Sequence, residues 1–578
     1  MHNLENKNKL SFLKLNQYNS YEVFIIVLTF ILNCFFVFSY LTPDFSSINP
    51  HDGTKYIESG RQLIIWGLRD LSWGPLVAFV YAPIYIFVGN SLNWFMLSAW
   101  VGNIILFGLM WFSCLLLANE FKNYMSRHVL LAVLFSSVVF ITTLRNQADA
   151  LFVAMSCFAL TKLLQYYRTG EIAKIIWASV FLGLGVLSRV ESILLLIPLI
   201  VFSILFLKNR NSTLKLLFSC VLPVLLILLL FVVISYIKIG NANLGLGNKS
   251  IDSLTHPMNM VFVKGSKNQS AYLRGEPIFG DIDQHHNSVF RAILINPIAI
   301  VERVIVNLLN FPTMFKDYFG VNQSLYIFFF SVYGIHSLIK NKDKRAWILF
   351  VWPLHSLVSL IFLPIHIFPQ TFYLFVLLSG FGITRLLSKN TPIKEKFILL
   401  CFNGIILVFS VIFQLKLVFA TNILLVTVLL IDIIVSLNKN KLLVYQYLPA
   451  ILLLLGGVLF GNKYVFPNSR LGKTDDEKAV HFMMKNFPKQ ANVISFFPKP
   501  AIAAKLNSRG FPDNIENIEE FVSHLCQNDV YAIYVDESAP VYSDLIEKTS
   551  QEKPEVLDLV YIADTERIKI FEVNNCGN

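Results

Sequence analysis

Five ionisable residues border long apolar runs in the first third of this sequence, and their types suggest chemistry. A carboxylate can take a proton from a hydroxyl or an amine as that group attacks, and a guanidinium can bind a phosphate through two parallel N–H groups. Ionisable groups near membrane depth are costly and tend to mark functional sites. We therefore expect a site that combines proton abstraction with anion binding, built from Asp52, Arg145, Asp149, Arg189 and Glu191.

Each of these residues also has a purely structural interpretation. Asp52 lies in "PHDGTKYIESGRQL", where a helix is expected to start, and it could act only as a helix cap. Arg145 and Asp149 are four residues apart in "RNQADAL", which is the spacing of a helical ion pair. In "LSRVES", Arg189 and Glu191 stand between two apolar runs, where long side chains can extend to the membrane interface.

The elements that would position these residues are membrane helices. The 578 residues are 55% hydrophobic and 15% charged, whereas a soluble domain carries nearer a quarter charged residues. Apolar runs close to the roughly 20 residues needed to cross a bilayer recur from Tyr21 to about Gly461. The pattern predicts a polytopic α-helical membrane protein. The first run, from Val23 to Tyr40, is long for a signal peptide and is interpreted as a retained anchor.

Basic residues assign the connecting loops to sides of the membrane. The net charge of +11 is interpreted as the positive-inside pattern of a membrane protein, and no nucleic-acid partner is expected. Counting gives about 13 transmembrane helices, with a cytoplasmic N-terminus and an extracytoplasmic C-terminus. The outer loops then span about 42–93 and 239–304, and all five ionisable residues lie at one membrane face. The basic connectors placed in the cytoplasm are 119–128, 166–174, 207–215, 340–345, 385–396 and 438–441.

The polar tail is predicted to form a separate domain. We expect a transmembrane module over 1–462 and a small extracytoplasmic α/β domain over 463–578. Thr474 and Glu477 form a capping box ahead of a helix, and Cys526 and Cys576 could pair outside the cytosol. Because the tail has no phosphate-binding glycine loop, it is assigned support or acceptor binding. The expected strands lie within 492–497, 530–537, 556–563 and 567–573, with a helix over 517–525.

Four stretches resemble the GT-C glycosyltransferases, especially bacterial relatives of protein O-mannosyltransferases and lipid A aminoarabinose transferases. They are "HDGTKYIESGRQLI", "WGPLVAFVYAPIYIF", "RNQADALFVAMSCFAL" and "GLGVLSRVESILLLIPLI". The resemblance covers about the first 210 residues. Many relatives have a Glu where this chain has Gly53, and many have an Arg–Tyr pair in a late outer turn. The comparable turn here is "IHIFPQTFY", which has no Arg, so either His366 makes a different donor contact or the donor itself differs.

The resemblance implies an integral-membrane enzyme of the cell envelope. Such enzymes transfer a sugar from a polyprenyl-phosphate-linked donor to a lipid, glycan or protein acceptor at the outer face of the cytoplasmic membrane, among membrane lipids. It implies Asp52 as general base and Arg145 and Arg189 as donor-phosphate contacts. Asp149 would be a second acidic residue that orients Arg145. No nucleotide or other cofactor is expected, and a divalent metal is not indicated. Supporting roles fall to Tyr56, Glu191 and His366.

Two other functions fit a chain with many spans. Polysaccharide polymerases and ligases also have a large outer loop, but they typically place their key residues late in the chain, whereas the ionisable residues here come early. Transporters of lipid-linked or small substrates usually carry internal repeats and charges at the membrane midplane. No clear repeat is found in this sequence, and the charges fall near the ends of the predicted spans.

Overall fold

The protein is represented by a computed structural model of the 578-residue chain. The residues that the structure describes are 52–67, 75–121, 147–206, 213–239, 289–309, 311–312, 321–340, 345–360, 367–386, 475–511, 515, 517–536 and 540–574, together with Val27, Phe397, Leu400, Cys401, Gly404, Thr427 and Leu430.

Twelve α-helices and two 3-10 helices form the described part of the predicted transmembrane module. The α-helices are α1 (Asp52–Trp66), α2 (Pro75–Val88), α3 (Trp94–Glu120), α4 (Gln147–Thr169), α5 (Ile172–Val186), α6 (Leu196–Leu205), α7 (Thr213–Ile239), α8 (Val289–Ile295), α9 (Pro297–Leu309), α10 (Val321–Lys340), α11 (Arg345–Val351) and α12 (Ile367–Leu386). The 3-10 helices are η1 (Val190–Leu195) and η2 (Trp352–Leu360).

Among the described residues, three helices are long and apolar enough to cross a membrane. They are α3, α4 and the segment Thr213–Ile234 of α7. Along the spanning part of α4, 94% of the residues are buried, whereas only 17% of those along α7 are buried. This contrast puts α4 at the centre of the bundle and α7 at its periphery, where apolar side chains suit lipid contact. The total of about 13 spans remains a prediction.

The bundle around α4 has two distinct ends. The helices α4 and α5 form an antiparallel hairpin, because only Gly170 and Glu171 separate them and they pack closely. At the last turn of α4, Gln165 donates a 3.0 Å hydrogen bond to Glu120, and the Arg345 Nη1 atom donates a 2.9 Å bond to the Glu120 carbonyl oxygen. The end at which α4 begins is termed the near end, and the end with Glu120 is termed the far end.

Helices α10 and α12 approach each other unusually closely. A methyl group at Gly334 would collide with the Leu378 carbonyl oxygen, and one at Gly382 would collide with the Phe330 carbonyl oxygen. The two glycines therefore let the backbones touch, which is how small residues bring membrane helices together. Since α12 also packs on α4, this contact fixes the late helices of the chain against the early ones.

Helices α1 and α2 pack on the near end of the bundle. The absence of a side chain at Gly60 in α1 makes room for Tyr81 in α2, and Gly102 in α3 makes room for the Tyr81 ring. At the start of α2, the Leu76 amide donates a 3.1 Å hydrogen bond to the Leu187 carbonyl oxygen, just after α5. The predicted first outer loop thus contains two helices that are held to α3 and α5.

The tail folds as a mixed five-stranded sheet flanked by helices. The strand order is β2-β1-β3-β5-β4, with β1 parallel to β2 and β3, and β5 antiparallel to β3 and β4. The strands are β1 (Asn492–Ser495), β2 (Asn507–Arg509), β3 (Val530–Val535), β4 (Leu557–Ile562) and β5 (Lys569–Val573); the helices are α13 (Asp475–Asn486), α14 (Lys499–Ala503), α15 (Ile518–Gln527) and α16 (Pro540–Glu552).

The structure confirms the strands and the helix predicted within the tail, and it adds β2, α14 and α16. Asn517 caps α15 by accepting a 2.8 Å hydrogen bond from the Glu520 amide. The capping Thr474 and the boundary at 462–463 lie outside the described residues. Cys526 is disulfide-bonded, while its predicted partner Cys576 also lies outside the description.

The tail packs directly on the near end of the bundle. The Trp94 indole donates a 2.9 Å hydrogen bond to the Ala503 carbonyl oxygen, and the Lys505 ammonium donates one to the Gly89 carbonyl oxygen. Burial lowers the pKa of Lys505, and the positive charges of Arg61 and Lys489 lower it further. Because α14 also contacts α1, the tail and the predicted first outer loop form one continuous interface.

Candidate active site

A buried ion pair joins the first turn of α4 to the residue that precedes η1. The Arg189 Nε atom lies 2.8 Å from the Asp149 Oδ1 atom, and the two side chains are 8% and 0% exposed. The hairpin of α4 and α5 brings these residues together, and the Ser188 hydroxyl fastens the turn by donating a 2.7 Å bond to the Ala148 carbonyl oxygen. In such a low-dielectric setting, each charge depends strongly on the other.

This pairing differs from the one that the sequence suggested. Asp149 was expected to orient Arg145 across one helical turn, and the structure shows it in contact with Arg189, 40 residues later in the chain. Arg145 lies outside the described residues. The same contact removes the simplest structural interpretation of Arg189, because a side chain extended to the lipid interface would not be buried against a carboxylate.

Asp52 is the first residue of α1, so the helix begins close to where the sequence predicted it, with Asp52 near its N-terminal cap. Its side chain lies outside the description. Helix α1 packs on both α4 and the tail, and Tyr56, one turn after Asp52, is 1% exposed. The predicted base therefore begins a helix that contacts the element carrying Asp149.

A second buried ion pair lies within α1. The Arg61 guanidinium bonds both oxygens of Glu58, with Nε 2.7 Å from Oε2 and Nη2 2.5 Å from Oε1, and Gln62 donates to the same carboxylate. These residues stand in the quoted "YIESGRQ" stretch, which was predicted to line the site, although no individual role was predicted for either of them. The i,i+3 spacing of opposite charges was the available signal. Both partners are buried, so the pair braces α1 within the interface.

A third group of polar residues, two buried and one half-buried, comes from three separate elements. Glu191 lies in η1, His355 lies in η2 and Gln370 lies in the first turn of α12. His355 is 4% exposed and Gln370 is fully buried, and Glu191 is close enough to His355 to interact with it electrostatically. His355 and Gln370 were not predicted from the sequence, although polar residues inside apolar segments were the available signal. His366, which it named, lies outside the described residues.

The geometry places an anion-compatible guanidinium and two carboxylates at the near end. Asp149 comes from α4, Arg189 from the turn after α5 and Glu191 from η1, while α1, which starts at Asp52, packs on α4. Such a set can bind a charged ligand and accept a proton. Within the described ranges, no three His, Cys, Asp or Glu side chains are grouped as a metal site.

Comparisons with known proteins give no family model and no curated protein that matches this sequence. Solved structures do match. One is the apo crystal structure of ArnT from Cupriavidus metallidurans, with a TM-score of 0.52 and 12% sequence identity to this chain. The match covers 95% of this chain and 97% of the ArnT chain. Another is the archaeal oligosaccharyltransferase AglB from Archaeoglobus fulgidus in complex with an inhibitory peptide and a dolichol-phosphate. It also has a TM-score of 0.52 and 12% sequence identity, and the match covers 97% of this chain and 75% of the AglB chain.

Proposed function

We propose, on the premise that this chain has the GT-C fold of ArnT and AglB, that it is an integral-membrane glycosyltransferase. The donor is a sugar linked to polyprenyl phosphate, and the acceptor is a lipid, a glycan or a protein at the outer face of the cytoplasmic membrane. The observation that carries the proposal is the buried Asp149–Arg189 pair at the near end of this fold. The dolichol-phosphate in the AglB structure supports a lipid-linked donor for this chain as well.

Each proposed role follows from the chemistry of the side chain. Asp52 takes the proton of the attacking hydroxyl or amine, whose electron pair forms the new bond to the anomeric carbon. The bond from that carbon to the phosphate oxygen breaks, and its electron pair leaves with polyprenyl phosphate. Arg189, oriented by Asp149, stabilises the phosphate together with Arg145. Attack from the side opposite the phosphate inverts the anomeric centre.

The tail is proposed to support the site or to hold the acceptor. Its helix α14 packs on α1, and Trp94 and Lys505 fasten it next to the turn that joins α2 to α3. This position puts the soluble domain beside the helix that begins with Asp52. The proposal needs no nucleotide, because the lipid phosphate itself is the leaving group.

Transfer from a lipid-linked sugar is the direct test of this function. Reconstituted protein, incubated with undecaprenyl-phosphate hexoses and undecaprenyl-phosphate aminoarabinose, should release undecaprenyl phosphate only when an acceptor extract from the same cells is added. Intact-mass analysis would identify the modified acceptor, and cells lacking the protein should lose that mass shift. Protein that releases no undecaprenyl phosphate from any of these donors would contradict the proposal.

The location of the tail outside the cytoplasm is a separate prediction. Gln551 is exposed at the end of α16, and Glu171 is exposed in the turn between α4 and α5 at the far end. In a variant that retains only Cys526 and Cys576, we expect Gln551→Cys to react with a membrane-impermeant maleimide in intact cells. The matched Glu171→Cys variant should react only after permeabilisation. The disulfide at Cys526 supports this orientation, since disulfides persist in oxidising compartments. The reverse labelling pattern would place the site on the cytoplasmic side.

A further inference from the structure

The half-buried Glu191 and the buried His355 and Gln370, here termed the polar layer, are not accounted for by the proposed mechanism. Gln370 is 0% exposed, and neither its amide nitrogen nor its amide oxygen has a hydrogen-bond partner. The His355 Nε2 atom and the Glu191 Oε2 atom are also buried and lack a partner. Leaving a buried polar atom without a partner is unfavourable and rare, so these atoms indicate a place where a ligand or a water molecule binds.

Contacts along α4 put His355 and Gln370 at the same depth. The Ser156 hydroxyl forms a 2.7 Å hydrogen bond with the Tyr373 hydroxyl and accepts a 2.9 Å hydrogen bond from the Trp352 indole. Ser156, Trp352 and Tyr373 therefore lie at the same depth along α4. His355, three residues after Trp352, packs on Phe152 with ring centroids 5.4 Å apart, one turn nearer the start of α4.

Gln370, like His355, lies closer to the near end than Ser156 does. Phe381 in α12 packs on Phe121 at the far end, with ring centroids 5.0 Å apart, so α12 runs in the same direction as α4. Gln370 precedes Tyr373 by three residues and is therefore also one turn nearer the near end than Ser156. Asp149 stands three residues before Phe152 on α4, so the polar layer lies next to the Asp149–Arg189 pair.

The hydrogen-bonding pattern of the polar layer selects the kind of ligand. His355 Nδ1 lies 2.8 Å from the Trp352 carbonyl oxygen, which can only accept, so Nδ1 carries a proton and, in the neutral imidazole, Nε2 is an acceptor. Glu191 adds acceptor oxygens and a negative charge, and Gln370 adds one acceptor and two N–H donors. This set suits hydroxyl groups, which donate and accept, and the carboxylate repels a phosphate.

We infer that Glu191, His355 and Gln370 hydrogen-bond the hydroxyl groups of the transferred sugar, next to the Asp149–Arg189 pair that holds the donor phosphate. This inference rests on the proposed function. The two ends of the donor are thereby separated by charge: the anionic phosphate lies at the guanidinium and the neutral sugar lies at the polar layer.

Gln370→Met tests the inference, because it keeps the length of the side chain and removes its polar atoms. We expect transfer from an undecaprenyl-phosphate hexose to fall about tenfold or more, while binding of undecaprenyl phosphate without a sugar stays within about twofold of wild type. The melting temperature should be unchanged or higher, since an unsatisfied polar group has left the interior. Glu191→Gln, which keeps the shape of Glu191, should also slow transfer without weakening that binding. Gln165→Met at the far end is the matched control and should transfer normally.

Two outcomes would overturn the inference alone. One is normal transfer by Gln370→Met in a wild-type background that is active. The other is a lower melting temperature together with a loss of transfer no larger than the loss of folded protein. That result would show that the amide stabilises the folded structure through bound water. Wild-type protein that transfers no sugar would overturn the proposed function and this inference with it.

Discussion

Purified Asp52→Asn protein is expected to fold and to bind undecaprenyl phosphate like the wild type, yet to transfer sugar about 10²–10⁴-fold more slowly. Asn has nearly the same shape as Asp and caps helices about as well, so the start of α1 at this residue should be preserved. An amide cannot usefully take a proton. The melting temperature and the single-turnover transfer rate, measured on the same preparation, distinguish a role for Asp52 as general base from a role as helix cap.

Asp475 offers a matched control for this experiment. It is the first residue of α13 in the tail, where its carboxylate accepts a hydrogen bond from Thr565. Asp475→Asn makes the same chemical change at another helix start, and its transfer rate should equal that of the wild type. Near-normal transfer by Asp52→Asn would remove the catalytic assignment and leave Asp52 as a cap. A comparable loss in both variants would point to a general effect on folding.

Arg189→Lys is expected to weaken binding of undecaprenyl phosphate by about 1–3 kcal/mol, which is on the order of 5- to 150-fold. Lysine keeps the positive charge, so the buried Asp149 carboxylate retains a counter-ion and the protein should still fold. It lacks the planar fork that binds a phosphate through two parallel N–H groups. Equilibrium binding of the lipid, measured in detergent or nanodiscs, is the readout.

Two further variants make the Arg189 result specific. Arg168→Lys alters a guanidinium that pairs with Glu120 at 3.2 Å at the far end, and it should leave lipid binding unchanged. Asp149→Asn removes the carboxylate that faces Arg189 and leaves a buried charge without its partner, so we expect lower stability as well as weaker binding. Unchanged lipid binding in Arg189→Lys would reduce the pair to a structural brace.

The class of fold and much of its local structure could be predicted from the sequence. Long apolar runs cannot satisfy their backbone in lipid except as helices, and four motif stretches predicted the GT-C fold, which the ArnT and AglB structures confirm. Alternating strands in the tail and the helix beginning at Asp52 follow from short-range patterns, and the structure confirms them as well. The strands and the helix depend on residues that are close together in the sequence.

Only the tertiary structure decided which distant residues meet. Asp149 pairs with Arg189 because the α4–α5 hairpin returns the chain to the near end, a contact that the helical spacing of Arg145 and Asp149 could not reveal. His355 and Gln370 became candidates only when η2 and α12 were seen to bury them beside α4, since an isolated polar residue in an apolar run has no fixed meaning. Helix periodicity reports one face of one helix, whereas a site between helices depends on how several helices pack.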